Sequence, residues 1–342
     1  MTLPLAVSPL AVTLGDPAGV GPELIIAAWL ARERLALPPF VVLHGAQALR
    51  EAIGQLGVDC PVRPVSHAME ASSVFADGLP VIGDKDQRYT PGSPSVEGAG
   101  LAYQSLQDAV GLAQCGQAAG VVTAPVAKSA IAAIMPGFMG QTEWLADRCT
   151  IAHGSVVMML AGPQLRTVPV TIHCPLSQVP KMLTRELILS RARITAKALR
   201  EDFGIKAPRL AFTGLNPHAG ENGLLGREEI TTIAPAIAQL QAEGIDARGP
   251  YPADAMFAAH MRERYDVALA MYHDQALVPL KALDFDAGVN VTLGLPIVRT
   301  SPDHGTAFDI AGKGIAGPGA MIAAIRMAGE VAARRERARA GA

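Results

Sequence analysis

Val267-Ala268-Leu269-Ala270-Met271-Tyr272-His273 is a short apolar run that ends on a histidine. Two other runs end the same way: Thr167-Val168-Pro169-Val170-Thr171-Ile172 leads to His173, and Leu210-Ala211-Phe212-Thr213-Gly214 leads, through Leu215-Asn216-Pro217, to His218. A short apolar run bounded by turn residues reads as a buried strand. Strands of this kind that alternate with helical stretches pair in parallel and bind ligands beyond their carboxyl ends. Further runs lie at 10–14, 40–45, 118–126, 156–162 and 289–298, and segments of helical periodicity at 22–35, 96–114, 177–204 and 227–244. Pro22 suits the leading turn of the first helix. The alternation predicts an α/β fold with parallel strands.

A chain of 342 residues, half apolar and 18% charged, has the composition of a globular protein with room for two compact domains. The run count exceeds one modest sheet, so two α/β units with a cleft between them are expected. Residues 1–125 and 300–342 form the first and 126–299 the second, which carries the metal site. The net charge of −2 and the 4% aromatic content argue against nucleic acid as a partner. No apolar run approaches about 18 residues, which argues against a membrane span. Cys60, Cys115, Cys149 and Cys174 are scattered without a CxxC spacing, and the N-terminus lacks a leader pattern. A reduced, cytoplasmic setting is therefore expected. Cys174 adjoins His173, but neighbours on an extended strand face opposite ways, which favours a packed thiol over a ligand. The Arg-rich stretch 324–342 reads as a solvated helix end rather than a docking site for an acidic partner.

Each histidine taken alone is more often a hydrogen-bonded structural residue than a ligand. Three of them at strand ends, two beside an Asp, Asn or Gly where the chain turns, point to His173, His218 and His273 as ligands of a divalent metal. Three neutral nitrogens leave open positions, the arrangement of a catalytic site. Imidazole favours zinc or cobalt over magnesium. His44, His67, His153 and His260 lack companion motifs. Lys281, Asn290 and Arg299 follow His273 at intervals of eight, nine and nine positions, and a compact ammonium and a planar guanidinium suit a doubly anionic small substrate. Leu14-Gly15-Asp16-Pro17-Ala18-Gly19-Val20-Gly21 is a tight strand-to-helix turn or a binding loop; its spacing is not the dinucleotide fingerprint. The loop 300–312 is a surface loop or a nucleotide loop, in which His304 and Asp309 hydrogen-bond adenosine beside Gly305.

The segments TLGDPAGVGPE, TAPVAK, GQTEWLA, VTIHCPL, LNPHAGENGLLGREE, YPADAMF, AMYHDQALVPLK and VNVTLGLPIVRTSPDHGTAFDIAG stand in order along the chain. Together they resemble the 4-hydroxythreonine-4-phosphate dehydrogenase family of pyridoxal phosphate biosynthesis, from about residue 9 to 328. The resemblance implies a fold like isocitrate and isopropylmalate dehydrogenases, two α/β/α domains with an active-site cleft between them, and a homodimer whose partner contributes to the site. It implies metal ligands at His173, His218 and His273, substrate contacts at Gln141, Thr142, Lys281, Asn290 and Arg299, and cofactor contacts at His304, Gly305 and Asp309. Lys281 is also the candidate for proton transfer, and Asp254 for contact with the substrate amine. The activity implied is oxidation of 4-phosphooxy-L-threonine with NAD or NADP, followed by decarboxylation. Gln141 and Ala127 stand where the family carries His, and an amide cannot carry a proton. Two other substrate classes stay open, threonate or erythronate 4-phosphate and aromatic cis-dihydrodiols, as does a catalytically silent metal- or anion-binding protein.

Overall fold

The computed structural model describes residues 8–340. Residues 1–7 and 341–342, which belong to the expected first domain and to the reading of the N-terminus, lie outside them. The chain forms two compact units: the segment up to Thr150 with Leu295–Glu336, and Ile151–Gly294 with the chain from Arg337. Residues 126–150 thus belong with the first unit, not with the second as the sequence reading has it. The reason lies in their packing. Phe138 and Trp144 close edge-on against Tyr103, a residue of the helix Val96–Gln114.

The first unit is built on six parallel strands in the order Val62–Pro64, Leu79–Ile82, Phe40–Leu43, Leu10–Thr13, Val121–Val122, Arg299–Pro302. The central strands Leu10–Thr13 and Phe40–Leu43 are buried at every position, as strands covered on both faces must be. Helix Gly21–Leu30 starts with Pro22 in its first turn. Helix Val96–Gln114 starts at Ser95, whose Oγ accepts the Gly98 amide at 3.0 Å. From that helix Ser105 reaches the sheet: its Oγ accepts from Leu14 N and donates to Leu43 O. The same helix supplies Asp108, whose carboxylate lies 2.7 Å from Nε2 of the buried His44. That histidine is a hydrogen-bonded structural residue.

The second unit carries six strands in the order Val289–Leu293, Val157–Ala161, Arg166–Pro169, Val267–Ala270, Arg209–Thr213, Asp246–Tyr251. The last four are parallel, but Val157–Ala161 runs antiparallel to both of its neighbours. The expectation of parallel strands fails here for a steric reason. Only residues 162–165 join Val157–Ala161 to Arg166–Pro169, closed by a 2.8 Å bond from Gly162 N to Leu165 O, whereas a parallel return needs a crossover of about a dozen residues. The long helical segment at 177–204 is also interrupted. Thr184 adopts an extended conformation and caps a new helix, Arg185–Glu201, through its hydroxyl on Leu187 N. A core of Leu160, Leu165, Met256, Tyr265, Leu277 and Leu280 fills the space between this sheet and the helix His273–Asp284.

Candidate active site

Arg166–Pro169, Val267–Ala270 and Arg209–Thr213 are adjacent parallel strands. His173, His273 and His218 follow their carboxyl ends in that order, so the three histidines leave one end of one sheet. The backbone geometry there is specialised. His173 and His218 have φ of 53° and 52°, in the left-handed region, which non-glycine residues rarely adopt. His273 is the first residue of the helix His273–Asp284.

His173 and His273 come together. Their ring centroids are 6.0 Å apart with the planes tilted at 42°, and both line a cavity of about 330 Å³ with Thr171, Cys174, Tyr272 and Asp274. Asp274 Oδ1 sits 2.7 Å from His273 Nδ1. A carboxylate accepts only, so Nδ1 carries a proton, and in the neutral ring the lone pair is on Nε2. Cys174 lines the same cavity, contrary to the strand-alternation argument, because at φ 53° His173 is not extended and the two-residue alternation stops. His218 is exposed and does not line the cavity. It opens a left-handed turn in which all residues from His218 to Asn222 have positive φ. Among the described residues no three His, Cys, Asp or Glu side chains gather closely enough to hold a metal ion. The expected convergence of three rings is therefore met by two, with the third on the neighbouring strand end.

Two side chains that the sequence reading left without a role brace these loops. Thr171 Oγ1 donates to Met271 O at 2.8 Å, tying the His173 loop to the His273 strand. Glu229, buried at 3% exposure, accepts both Leu215 N and Asn216 N on Oε1 at 2.8 Å and Asn216 Nδ2 on Oε2 at 3.0 Å. It thereby fixes the segment that leads to His218. Gly220 must be glycine beside it: a Cβ there would lie 2.5 Å from Glu229 Oε2, and its φ is 80°. A carboxylate in a Gly-rich, helix-opening stretch was the available signal.

Of the expected substrate residues, Lys281 is exposed on the helix that His273 begins, eight residues further on, a rise of about 12 Å along the axis. Asn290 lies on Val289–Leu293, with a buried Oδ1 that has no hydrogen-bond partner. Asp254 is exposed near the start of a short helix, Ala253–Met256. In the first unit, Arg299 is 4% exposed, and its Nη2 donates to Thr123 Oγ1 at 2.7 Å and to Gln141 Oε1 at 3.1 Å. Burial lowers its pKa to about 10, against the opposing pull of Glu143. Gln141 and Thr142 begin the helix Gln141–Arg148, so their amides add to the positive end of a helix beside that guanidinium. Ala127 immediately precedes the helix Lys128–Ile134.

The two glycine-containing loops of the first unit meet each other. Val20 N donates to Thr306 O at 3.0 Å, and a Cβ on Gly19 would stand 2.8 Å from that same oxygen. The buried Glu23 carboxylate accepts the amides of Gly312 and Gly314 and the Tyr89 hydroxyl; burial next to that carboxylate pushes the Tyr89 phenol pKa up. The 14–20 turn and the start of the helix Gly21–Leu30 therefore seat the loop that follows the strand Arg299–Pro302, so the loop expected at 300–312 begins only after Pro302. On that loop His304, Gly305 and Asp309 are exposed, with His304 Nδ1 3.0 Å from Gly305 O.

Comparison with known proteins decides the family. The profile of the pyridoxal phosphate biosynthetic protein PdxA matches residues 36–328. The chain belongs to the PdxA family. It is 60% identical to the 4-hydroxythreonine-4-phosphate dehydrogenase of Erythrobacter litoralis, over 96% of this chain and 97% of that one. Its identity to the Zymomonas mobilis protein of the same name is 52%, at 96% and 97% coverage. The crystal structure of the Klebsiella pneumoniae 4-hydroxythreonine-4-phosphate dehydrogenase superposes with a TM-score of 0.83 at 38% identity, covering 95% of this chain and 99% of that one. As a PdxA-family member the chain is a metabolic enzyme of the dehydrogenase type. Among its described residues no helix is long and apolar enough to cross a membrane.

Proposed function

We propose that this chain oxidises the C3 alcohol of 4-phosphooxy-L-threonine, passing hydride to NAD or NADP. The product, 2-amino-3-oxo-4-(phosphooxy)butanoate, is a β-keto acid that loses CO₂ to give 3-amino-2-oxopropyl phosphate, a step in pyridoxine 5'-phosphate synthesis. One observation carries the reading: 60% identity, over nearly the full length of both chains, to an enzyme named for this substrate.

The donor chemistry fits a divalent cation. His173 and His273 face one cavity, and the Asp274 contact leaves His273 Nε2 as a lone-pair donor, the usual outer-shell pattern around a ligating histidine. His218, on the adjoining strand end, is the third ligand of the proposal, with zinc or cobalt preferred to magnesium. Such an ion, when bound, stabilises negative charge developing on the alcohol oxygen. The chain's own residues do the rest. Arg299, fixed by Thr123 and Gln141, presents a planar fork to the phosphate, and Thr142 and Gln141 offer the helix start. Asn290 and Lys281 complete the substrate contacts, with Lys281 the candidate for proton transfer, and Asp254 meets the amine. His304, Gly305 and Asp309 hold the nucleotide. Gln141 binds without moving a proton, because its Oε1 is an amide oxygen already engaged by Arg299. The proposal includes a cytoplasmic homodimer.

The test is NAD(P)H formation from 4-phosphooxy-L-threonine, with and without chelator. Activity that disappears on chelation and returns with zinc or cobalt is the expected result. Turnover of threonate or erythronate 4-phosphate or of a cis-dihydrodiol in its place would reassign the substrate. Failure to reduce either nucleotide with every one of these compounds would leave the silent binding protein as the surviving account.

A further inference from the structure

Gln275 lies two residues after His273, inside the first turn of its helix, and its amide is engaged in three directions. Oε1 accepts the Thr213 hydroxyl at 2.6 Å and the Met271 amide at 2.7 Å, while Nε2 donates to Gly214 O at 2.8 Å. Thr213 ends the strand that leads to His218 and Gly214 follows it, while Met271 follows the strand Val267–Ala270 that leads to His273. Met271 O in turn accepts Thr171 Oγ1 from the loop that leads to His173. One continuous chain of hydrogen bonds thus runs across three strand ends, just beneath the three histidines. Thr213 is fully buried and Thr171 nearly so, so these bonds form where water does not compete.

We infer that Gln275 is a positioning residue that sets the register of the His173, His218 and His273 loops. It acts through Met271, Thr213 and Gly214 and touches no substrate. The inference rests on the metal-ligand reading of those histidines. The physical argument is directional. The amide accepts from Thr213 and Met271 on its oxygen while a separate atom, the nitrogen, donates to Gly214 O. A carboxylate of the same shape keeps the two accepted bonds but sets an oxygen against the Gly214 carbonyl and pushes the His218 loop outward.

The experiment is a cobalt(II) titration of the purified full chain, followed by visible absorption, together with urea unfolding of each variant. For Gln275→Glu the expected result is an apparent cobalt affinity weaker by about 10–100-fold, with unfolding still cooperative and kcat falling while KM for the nucleotide holds. Thr213→Val removes one donor and is expected to weaken cobalt in the same direction; it carries the test should Q275E not fold. The double variant is expected to be no weaker than Q275E alone, since both act on one linkage. Gln241→Ala is the control. It removes a 2.7 Å bond to Ala247 O elsewhere in the same unit and is expected to leave cobalt affinity unchanged. Cobalt binding by Q275E and T213V within twofold of the parent overturns the inference, and so does equal weakening by Q241A. His173→Ala separates the two readings: if it binds cobalt as tightly as the parent, the metal-ligand reading falls, whatever Gln275 does.

Discussion

Arg299 shows how a single residue sets substrate binding against stability. Its guanidinium is buried, and burial brings its pKa down to about 10, well below that of a free guanidinium. Between those two pKa values the unfolded chain binds more protons than the folded one, so stability rises with pH through that window. Below it, at neutral pH, the buried charge is a constant cost. Arg299→Met keeps most of the volume and removes the charge. The expected outcome is a higher urea midpoint, with stability raised by on the order of 1–3 kcal/mol, while kcat/KM falls by about 100-fold or more through loss of a charge-assisted fork on the phosphate. Unfolding curves and steady-state kinetics on the same preparations check both halves. A clear drop in stability would mean that the bonds to Thr123 and Gln141 outweigh desolvation. At this scale the sequence made His173 and His273 legible, since each ends an apolar run. Gln275, Glu229 and Thr171 were not legible. Their roles arise from partners far along the chain or across a strand boundary, such as the 62 residues between Thr213 and Gln275, and no local spacing records such a contact.

Among the elements, those with strong periodicity were readable and those whose composition is set by position in the sheet were not. The helix Val96–Gln114 coincides with its apolar pattern, and the eight apolar runs each overlap a strand. Asp246–Tyr251 reads Asp-Ala-Arg-Gly-Pro-Tyr and Val62–Pro64 reads Val-Arg-Pro. Both end the strand order of their units, where one side lacks a partner and polar residues and proline are tolerated. Arg299–Pro302 is buried throughout yet composed of Arg, Thr, Ser and Pro, so a hydrophobicity pattern passes over it. The break at Thr184 stayed hidden inside a longer helical pattern, because Thr184-Arg185-Glu186-Leu187 lacks the Glu or Gln at the third helical position that marks a capping box. Its cap gives a prediction: Thr184→Ala removes the hydroxyl from Leu187 N and is expected to lower stability by about 1 kcal/mol. Thr184→Ser, which keeps the oxygen, is expected to lose almost nothing. A T184A midpoint equal to the parent in urea would show that Arg185–Glu201 does not depend on its cap.

The chain as a whole has the topology of an insertion. Ile151–Gly294 is one uninterrupted stretch with its own six strands and its own core. The first unit is discontinuous, because Arg299–Pro302 pairs in parallel with Val121–Val122 and completes a sheet begun at Leu10. The consequence is asymmetric. A fragment spanning 151–294 contains all six strands of its unit and all three of His173, His218 and His273, together with Gln275, Thr213, Thr171 and Glu229. A fragment ending at Thr150 lacks a buried strand and leaves Val121 N and Thr123 N without the Val298 and Thr300 carbonyls that accept them, an uncompensated loss inside a core. The 151–294 fragment is therefore expected to unfold cooperatively in urea and to bind cobalt within about tenfold of the full chain. The 1–150 fragment is expected to unfold without a cooperative transition. A 151–294 fragment that folds yet takes up no cobalt would place an essential ligand outside it. The proposed set of three histidines would then be incomplete, even with the family assignment intact.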